Sequence, residues 1–164
     1  MKRIVCDTGP LLHLREIDSL PILQRAGRIH IPAAVQAELL SLDASWQGAL
    51  EDWVLVSPLA SHSSEEALRW IQAGLLDPGE AEALALALQV EADWLLTDDA
   101  AARIVAARHG MEVHDSLGVI LWAAAFGHLD KVEAEAALEA LSRSSLWISS
   151  RVLTEARAAL RQIF

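Results

Sequence analysis

At 164 residues and 53% apolar content, the chain is long enough to close one compact domain that buries roughly two thirds of its unfolded surface. Its formal charge of −10 opposes binding to a phosphate backbone unless cations or a basic partner intervene, so any nucleic-acid function needs metal ions. The single cysteine, Cys6, excludes an internal disulfide framework and a cysteine-rich zinc site, and it reads as a small buried apolar residue.

The run Arg3 to Cys6 has the β-rich character of a strand and ends at Asp7, followed by Thr8-Gly9-Pro10. Asp7 therefore sits where a strand turns into a loop, either as a ligand-facing carboxylate or as the cap of the next helix or an Asx-turn with Thr8-Gly9. Arg28 to Ile31 reads as a second strand, and Pro32 opens a helix through Leu40 that carries Glu38 among small and apolar residues. Taken alone, Glu38 reads more readily as a solvated helix position than as a site residue.

Trp53 to Val56 is the third strand expected, and Asp77-Pro78-Gly79 precedes an Ala/Leu-rich helix from Glu80 to Val90. Glu80 suits a first helical turn on dipole grounds, while Glu82 faces elsewhere around the helix. Trp94 to Thr97 then forms a buried strand that delivers the adjacent acids Asp98 and Asp99 just before a helix over Ala100 to His109. One of these two acids can serve as the N-cap of that helix while the other serves a site.

Met111 to His114 is the fifth strand, and helices are expected over Leu117 to Phe126, from Asp130 onward and over Val152 to Ile163. Asp130 is placed as an N-cap, with Val132, Ala136, Leu138 and Leu141 as the apolar face behind it. The longest apolar stretch, Val119 to Phe126, falls well short of the ~20 residues that span a bilayer, and no signal-peptide core opens the chain. A cytoplasmic protein with no membrane partner is expected.

Strands joined by helical crossovers pair in parallel, and open parallel sheets bind ligands at the carboxyl ends of their strands. That rule gathers Asp7, Glu38, Glu80, Asp98 and Asp99, each from a strand end or an adjoining helix. Crowded carboxylates repel one another and stay ionised only around a cation, for which Mg²⁺ or Mn²⁺ is the natural hard partner. Metal so held activates water and clamps the oxygens of a phosphodiester in displacement, with no covalent protein nucleophile.

Four stretches of the sequence resemble the PIN-domain family, especially its bacterial and archaeal toxin-like members, relatives of VapC-type toxins and a DUF3368-like subgroup. They are Val5-Cys6-Asp7-Thr8-Gly9-Pro10-Leu11-Leu12, Ile31 to Leu39 with Glu38, Leu76 to Ala87 with Glu80, and Leu95 to Arg103 with Thr97 two residues before Asp99. The likeness runs over about residues 4 to 126 and matches the third acid to Glu80 rather than Glu82, and the fourth to Asp99 with Asp98 as neighbour or co-ligand. Asp115 stands where the subgroup usually has glycine, and is expected to cap the helix near Leu117 or to extend the acidic site as an outer group.

The resemblance implies an α/β/α sandwich around a mostly parallel sheet of about five strands, with a nuclease domain at 1–128 and a helical extension, 129–164, packed on it. It implies endonucleolytic RNA hydrolysis with Mg²⁺ or Mn²⁺, in the toxin of a type II toxin-antitoxin pair that forms a homodimer and binds a cognate antitoxin. The alternative is a catalytically silent PIN fold acting as an RNA- or protein-interaction module. A receiver-like phosphoacceptor fits less well, because it needs a lysine late in the sheet and the chain holds only Lys2 and Lys131.

Side chains beyond the acids carry weaker expectations. Trp53, Trp94 and Trp122 lie in apolar runs and read as core, whereas Trp46, Trp70 and Trp147 have more polar neighbours and read as exposed interface anchors. Arg103 and Arg108 are the first candidates for phosphate contact, and the six histidines read as surface or packing residues.

Overall fold

A computed structural model describes residues 1–50 and 52–164. Five strands, β1 (Lys2–Cys6), β2 (Gly27–Ile31), β3 (Val54–Val56), β4 (Trp94–Leu96) and β5 (Val113–His114), form one sheet in the order β3-β2-β1-β4-β5. Every described pairing is parallel, with Ile4 beside Ile29 on one side and beside Trp94 on the other. Parallel strands require crossovers, and those crossovers are the helices.

The chain leaves β1 to build β2 and β3 on one side, then returns to build β4 and β5 on the other. The reversal falls between β1 and β4, and open parallel sheets bind their ligands at the carboxyl ends of the strands on either side of such a reversal. Asp7 and the segment Thr97-Asp98-Asp99 emerge at that point.

Among the described residues the helices are α1 (Thr8–Glu16), α2 (Ile22–Ala26), α3 (Ala33–Leu42), α4 (Trp46–Ala49), α5 (Ser61–Gln72), α6 (Pro78–Gln89), α7 (Ala100–Arg108), α8 (Ser116–Ala125), α9 (Lys131–Ser142) and α10 (Ser150–Ile163). Ile4, Val5 and Cys6 of β1 and the whole of β4 are buried, with the alanine-rich α6 packed against both strands. Buried alanines on opposite faces of α6, Ala81 and Ala85 on one and Ala83 and Ala87 on the other, let it pack closely among the sheet, α3 and α5. Both α9 and α10 pack on α8, and α9 also touches α1.

Three elements differ from the expected layout for identifiable reasons. Thr8-Gly9-Pro10 is the first turn of α1 rather than a loop, because Asp7 caps it and a proline early in a helix loses no hydrogen bond. The amphipathic α5 lies in a polar stretch with no assigned element, its burial resting on Ser63, Ala67 and Trp70. In α9 the buried stripe is Ala134, Ala137, Leu138 and Leu141, and Val132 and Ala136 are exposed. A 3.6-residue period through Leu138 and Leu141 selects Ala134, and places residues two and six before Leu138 on another face.

The tryptophans divide differently from the sequence expectation. Trp46 is 1% exposed beneath the Arg15 guanidinium, 4.3 Å from its ring centre, and Trp70 is buried against His109; only Trp147 of that trio is exposed, at 84%. Polar neighbours in sequence misled because a short helix such as α4 turns one side chain inward while its flanks face water. Trp94 is buried as expected, edge-on to Trp122, whereas Trp53 and Trp122 are only partly buried.

No helix among the described residues is long and apolar enough to cross a membrane.

Candidate active site at the sheet switch point

Asp7 leaves β1 and caps α1, its Oδ1 accepting from the Thr8 amide at 2.8 Å. Its Oδ2 accepts from the Thr97 hydroxyl at 3.0 Å, and that same hydroxyl accepts from the Asp99 amide at 3.2 Å. Thr97 thus joins the ends of β1 and β4 through one oxygen. Asp7 is 5% exposed, and burial pushes its carboxyl up to about 7 against the pull of the Thr8 and Thr97 hydrogen bonds; Asp77 and Glu38 push it further.

Glu38, on α3, is not a solvated helix position. Its Oε1 accepts from the Gly79 amide at 3.1 Å and its Oε2 accepts from the Thr8 hydroxyl. It therefore ties α3 to the first turns of α1 and α6. A methyl group at Gly79 would collide with the Glu38 carboxylate, so the Pro78-Gly79 step is glycine because a carboxylate passes there.

Glu80 is the third residue of α6, and it forms a capping box with Asp77. The Asp77 side chain accepts from the Glu80 amide at 2.9 Å, while Glu80 Oε2 accepts from the Asp77 amide at 3.0 Å. The helix thus begins two residues before Glu80, at Pro78, because Asp77 supplies the cap. Desolvation pushes the Glu80 carboxyl up to about 8, with Asp77, Asp99 and Asp7 pushing in the same direction. Asp77 is the acid that the family motifs passed over; the Asp-x-x-Glu capping pattern was its signal.

Asp98 and Asp99 point to different places, as neighbouring residues leaving a strand do. Asp99 caps α7, with Oδ1 accepting from the Ala102 amide at 2.7 Å, and it is close enough to Glu80 to raise its pKa. Asp98 is turned instead toward α1 and α8, where both of its oxygens are engaged by His13 and Ser116. The structure thus brings Asp7, Glu38, Glu80 and Asp99 to one edge and leads Asp98 behind it.

Asp115 caps α8, accepting from the Gly118 amide at 2.7 Å, and it meets Arg103 at 3.2 Å. Arg103 is thereby partly committed to a neighbouring carboxylate. Arg108 ends α7, nine residues and about 13 Å along the helix from Asp99, facing solvent. Glu82 reaches the first turn of α3 at Ala34, away from the switch point.

Among the described residues, no three His, Cys, Asp or Glu side chains stand close enough to form a ready-made metal cage. The donor chemistry nonetheless fits a hard cation. Asp7, Glu80 and Asp99 are oxygen donors, burial and the nearby charges of Asp99 and Asp7 raise the affinity of Glu80 for protons, and Glu80 Oε1 and Asp99 Oδ2 have no hydrogen-bond partner among the described residues. A divalent ion relieves the repulsion that protonation would otherwise relieve. Comparison with known families finds that the family described as DUF3368, a PIN domain, matches residues 3–162. No curated protein matches the chain.

Proposed function

The chain belongs to the PIN-domain family, whose fold is nuclease-like, and from that premise we propose that it is a metal-dependent endoribonuclease that hydrolyses RNA phosphodiester bonds. The observation that carries the reading is the crowding of partly or fully buried acids at the sheet switch point, where burial first and neighbouring carboxylates second push Asp7 up to about 7 and Glu80 up to about 8. Asp7, Glu80 and Asp99 would hold Mg²⁺ or Mn²⁺, and Glu38 would fix the geometry of the first turns on which Asp7 and Glu80 stand. The bound ion supplies water activation and charge stabilisation at the phosphate.

The chain's own residues do the positioning. Thr97 sets the Asp7 carboxylate through Oδ2 and the Asp99 backbone through its amide. Thr8 and Gly79 lock Glu38 across α1, α3 and α6. The metal also offsets the net charge of −10 that would otherwise repel an RNA backbone.

The family resemblance extends the proposal to the toxin of a type II toxin-antitoxin pair, a homodimer held in check by an antitoxin protein in the cytoplasm. Growth arrest on expression without a partner, relieved by Asp7→Asn, tests that extension. The second reading, a silent PIN fold that binds RNA or protein without cutting, draws on the full engagement of both Glu38 oxygens.

The deciding experiment is cleavage of single-stranded RNAs of varied sequence by wild type, Asp7→Asn, Glu80→Gln and Asp99→Asn, each with Mn²⁺ and with chelator. The nuclease reading expects Mn²⁺-dependent cutting that falls at least about 100-fold in Asp7→Asn, the loss typical when electrostatic stabilisation of the transition state is removed. Variants that cut as fast as wild type would overturn the site. RNA binding without any cutting would select the silent module.

A further inference from the structure

Behind the acidic edge lies a second polar cluster that the nuclease chemistry does not use. Asp98 is 7% exposed at its side chain and His13 11%. The Asp98 Oδ2 accepts from His13 Nδ1 at 2.7 Å and from the Ser116 hydroxyl at 2.6 Å, while Oδ1 accepts from the Ser116 amide at 2.7 Å. A carboxylate can only accept, so the His13 proton must sit on Nδ1.

These contacts join the helix that follows Asp7, the turn that carries Asp99, and the N-terminus of α8. Gly9 and His13 are four residues apart on α1 and present one helix face to Asp98. A Cβ at Gly9 would sit 3.2 Å from Asp98 Oδ2, so the glycine makes room for the carboxylate while the histidine grips it. Charge-assisted hydrogen bonds at these lengths are stiff and directional.

We propose that Asp98 is a positioning residue, clamped by His13 and Ser116 so that the Thr97 hydroxyl, Asp7 and Asp99 face one another across the switch point. The proposal rests on the nuclease reading for its activity readouts but not for its structural one. Asp98 itself touches neither metal nor RNA. With the clamp released, α1 and the β4–α7 turn lose their shared anchor, and the Thr97 link between Asp7 and Asp99 loosens. Small misplacements of this kind lower turnover while leaving the ligand chemistry in place.

The test compares His13→Phe, which keeps a ring but loses the donor, with His13→Asn, whose amide nitrogen can occupy the Nδ1 position. Asp98→Asn and Asp99→Asn complete the set. The clamp predicts that His13→Phe lowers kcat for Mn²⁺-dependent RNA cleavage about tenfold with KM little changed, and that His13→Asn recovers most of the loss. Mn²⁺ affinity by calorimetry should change less than about threefold in His13→Phe and Asp98→Asn, but fall more than about tenfold in Asp99→Asn. Amide resonances of Asp7, Thr97 and Asp99 should shift in His13→Phe and return in His13→Asn.

Loss of Mn²⁺ affinity in Asp98→Asn equal to that in Asp99→Asn would make Asp98 a ligand and overturn the proposal. A lower melting temperature in His13→Phe with kcat unchanged well below it would reduce the cluster to a structural bond and overturn it equally. Should Asp98→Asn fail to fold, the two His13 variants still decide. If wild type neither binds Mn²⁺ nor cuts RNA, the nuclease reading falls; the amide shifts then judge the clamp alone, and unmoved resonances at Asp7, Thr97 and Asp99 overturn it.

Discussion

The two sides of the β1–β4 switch point treat carboxylates in opposite ways. On the acidic edge, burial pushes Asp7 and Glu80 toward protonation, helped at Asp7 by Asp77 and Glu38 and at Glu80 by Asp77, Asp99 and Asp7. Behind it, the Asp98 side chain is only 7% exposed yet meets three donors, from His13 and Ser116. Burial alone therefore does not single out the acids proposed to hold the metal; an incomplete set of donors does, because a carboxylate left short of partners is the one that gains from an added cation.

The largest expected effect tests this contrast by its sign. With chelator at pH 8, Asp98→Asn should destabilise the protein by about 3 kcal/mol, since it breaks a buried charge-assisted pair. Asp7→Asn under the same conditions should leave the melting temperature unchanged or raise it, because it removes a repelled charge. Thermal melts of both variants read the outcome, and equal destabilisation would erase the distinction between the two regions.

The next effect is the pH dependence of the metal-free protein. Asp7 rises from 3.8 to about 7 and Glu80 from 4.5 to about 8 on folding. Between those limits the native state holds more protons than the unfolded state, so stability is full near pH 4 and is lost as pH rises through about 7 to 8. The change amounts to a few kcal/mol at most from Asp7 and less from the partly exposed Glu80. Melting against pH with chelator should show the fall, and saturating Mn²⁺ should flatten it; a rise over that window would contradict the direction of both shifts.

Smaller effects separate the two glycine cradles. Gly79→Ala drives a methyl into the Glu38 carboxylate, and should cost about 1–3 kcal/mol as overpacking does. Gly9→Ala meets Asp98 Oδ2 at 3.2 Å, a contact relieved by a small shift, and it gains about 1 kcal/mol of helix propensity in α1. Its net change should lie within about 1 kcal/mol of zero. Denaturant unfolding of the two variants gives the comparison, and a larger loss at Gly9 would place the tighter cradle on the wrong side.

Much of the architecture was legible in the chain. Alternating short β-rich runs and helical stretches required crossovers, and crossovers required a parallel sheet with its crevice at the strand ends. The five strand positions followed from apolar runs bounded by turn residues. Asp7 and Asp99 were readable because each closely follows such a run, and both double as helix caps through the backbone geometry that every strand-to-helix turn shares.

Other features depended on contacts that no local pattern encodes. Asp77 and Glu80 signal only a capping box by their spacing, and their electrostatic link to Asp7 arises because α6 packs against β1. His13 has no sequence signal at all: it lies 85 residues from Asp98 along the chain, and only the adjacency of β1 and β4 brings them to 2.7 Å. Sequence by itself set the fold class, the strand ends and the acids that emerge there, since these come from hydrophobic period and local turn chemistry. Which acids are matched by donors and which are left repelling one another was decided only by tertiary packing, because a carboxylate's partners come from elements distant in the chain.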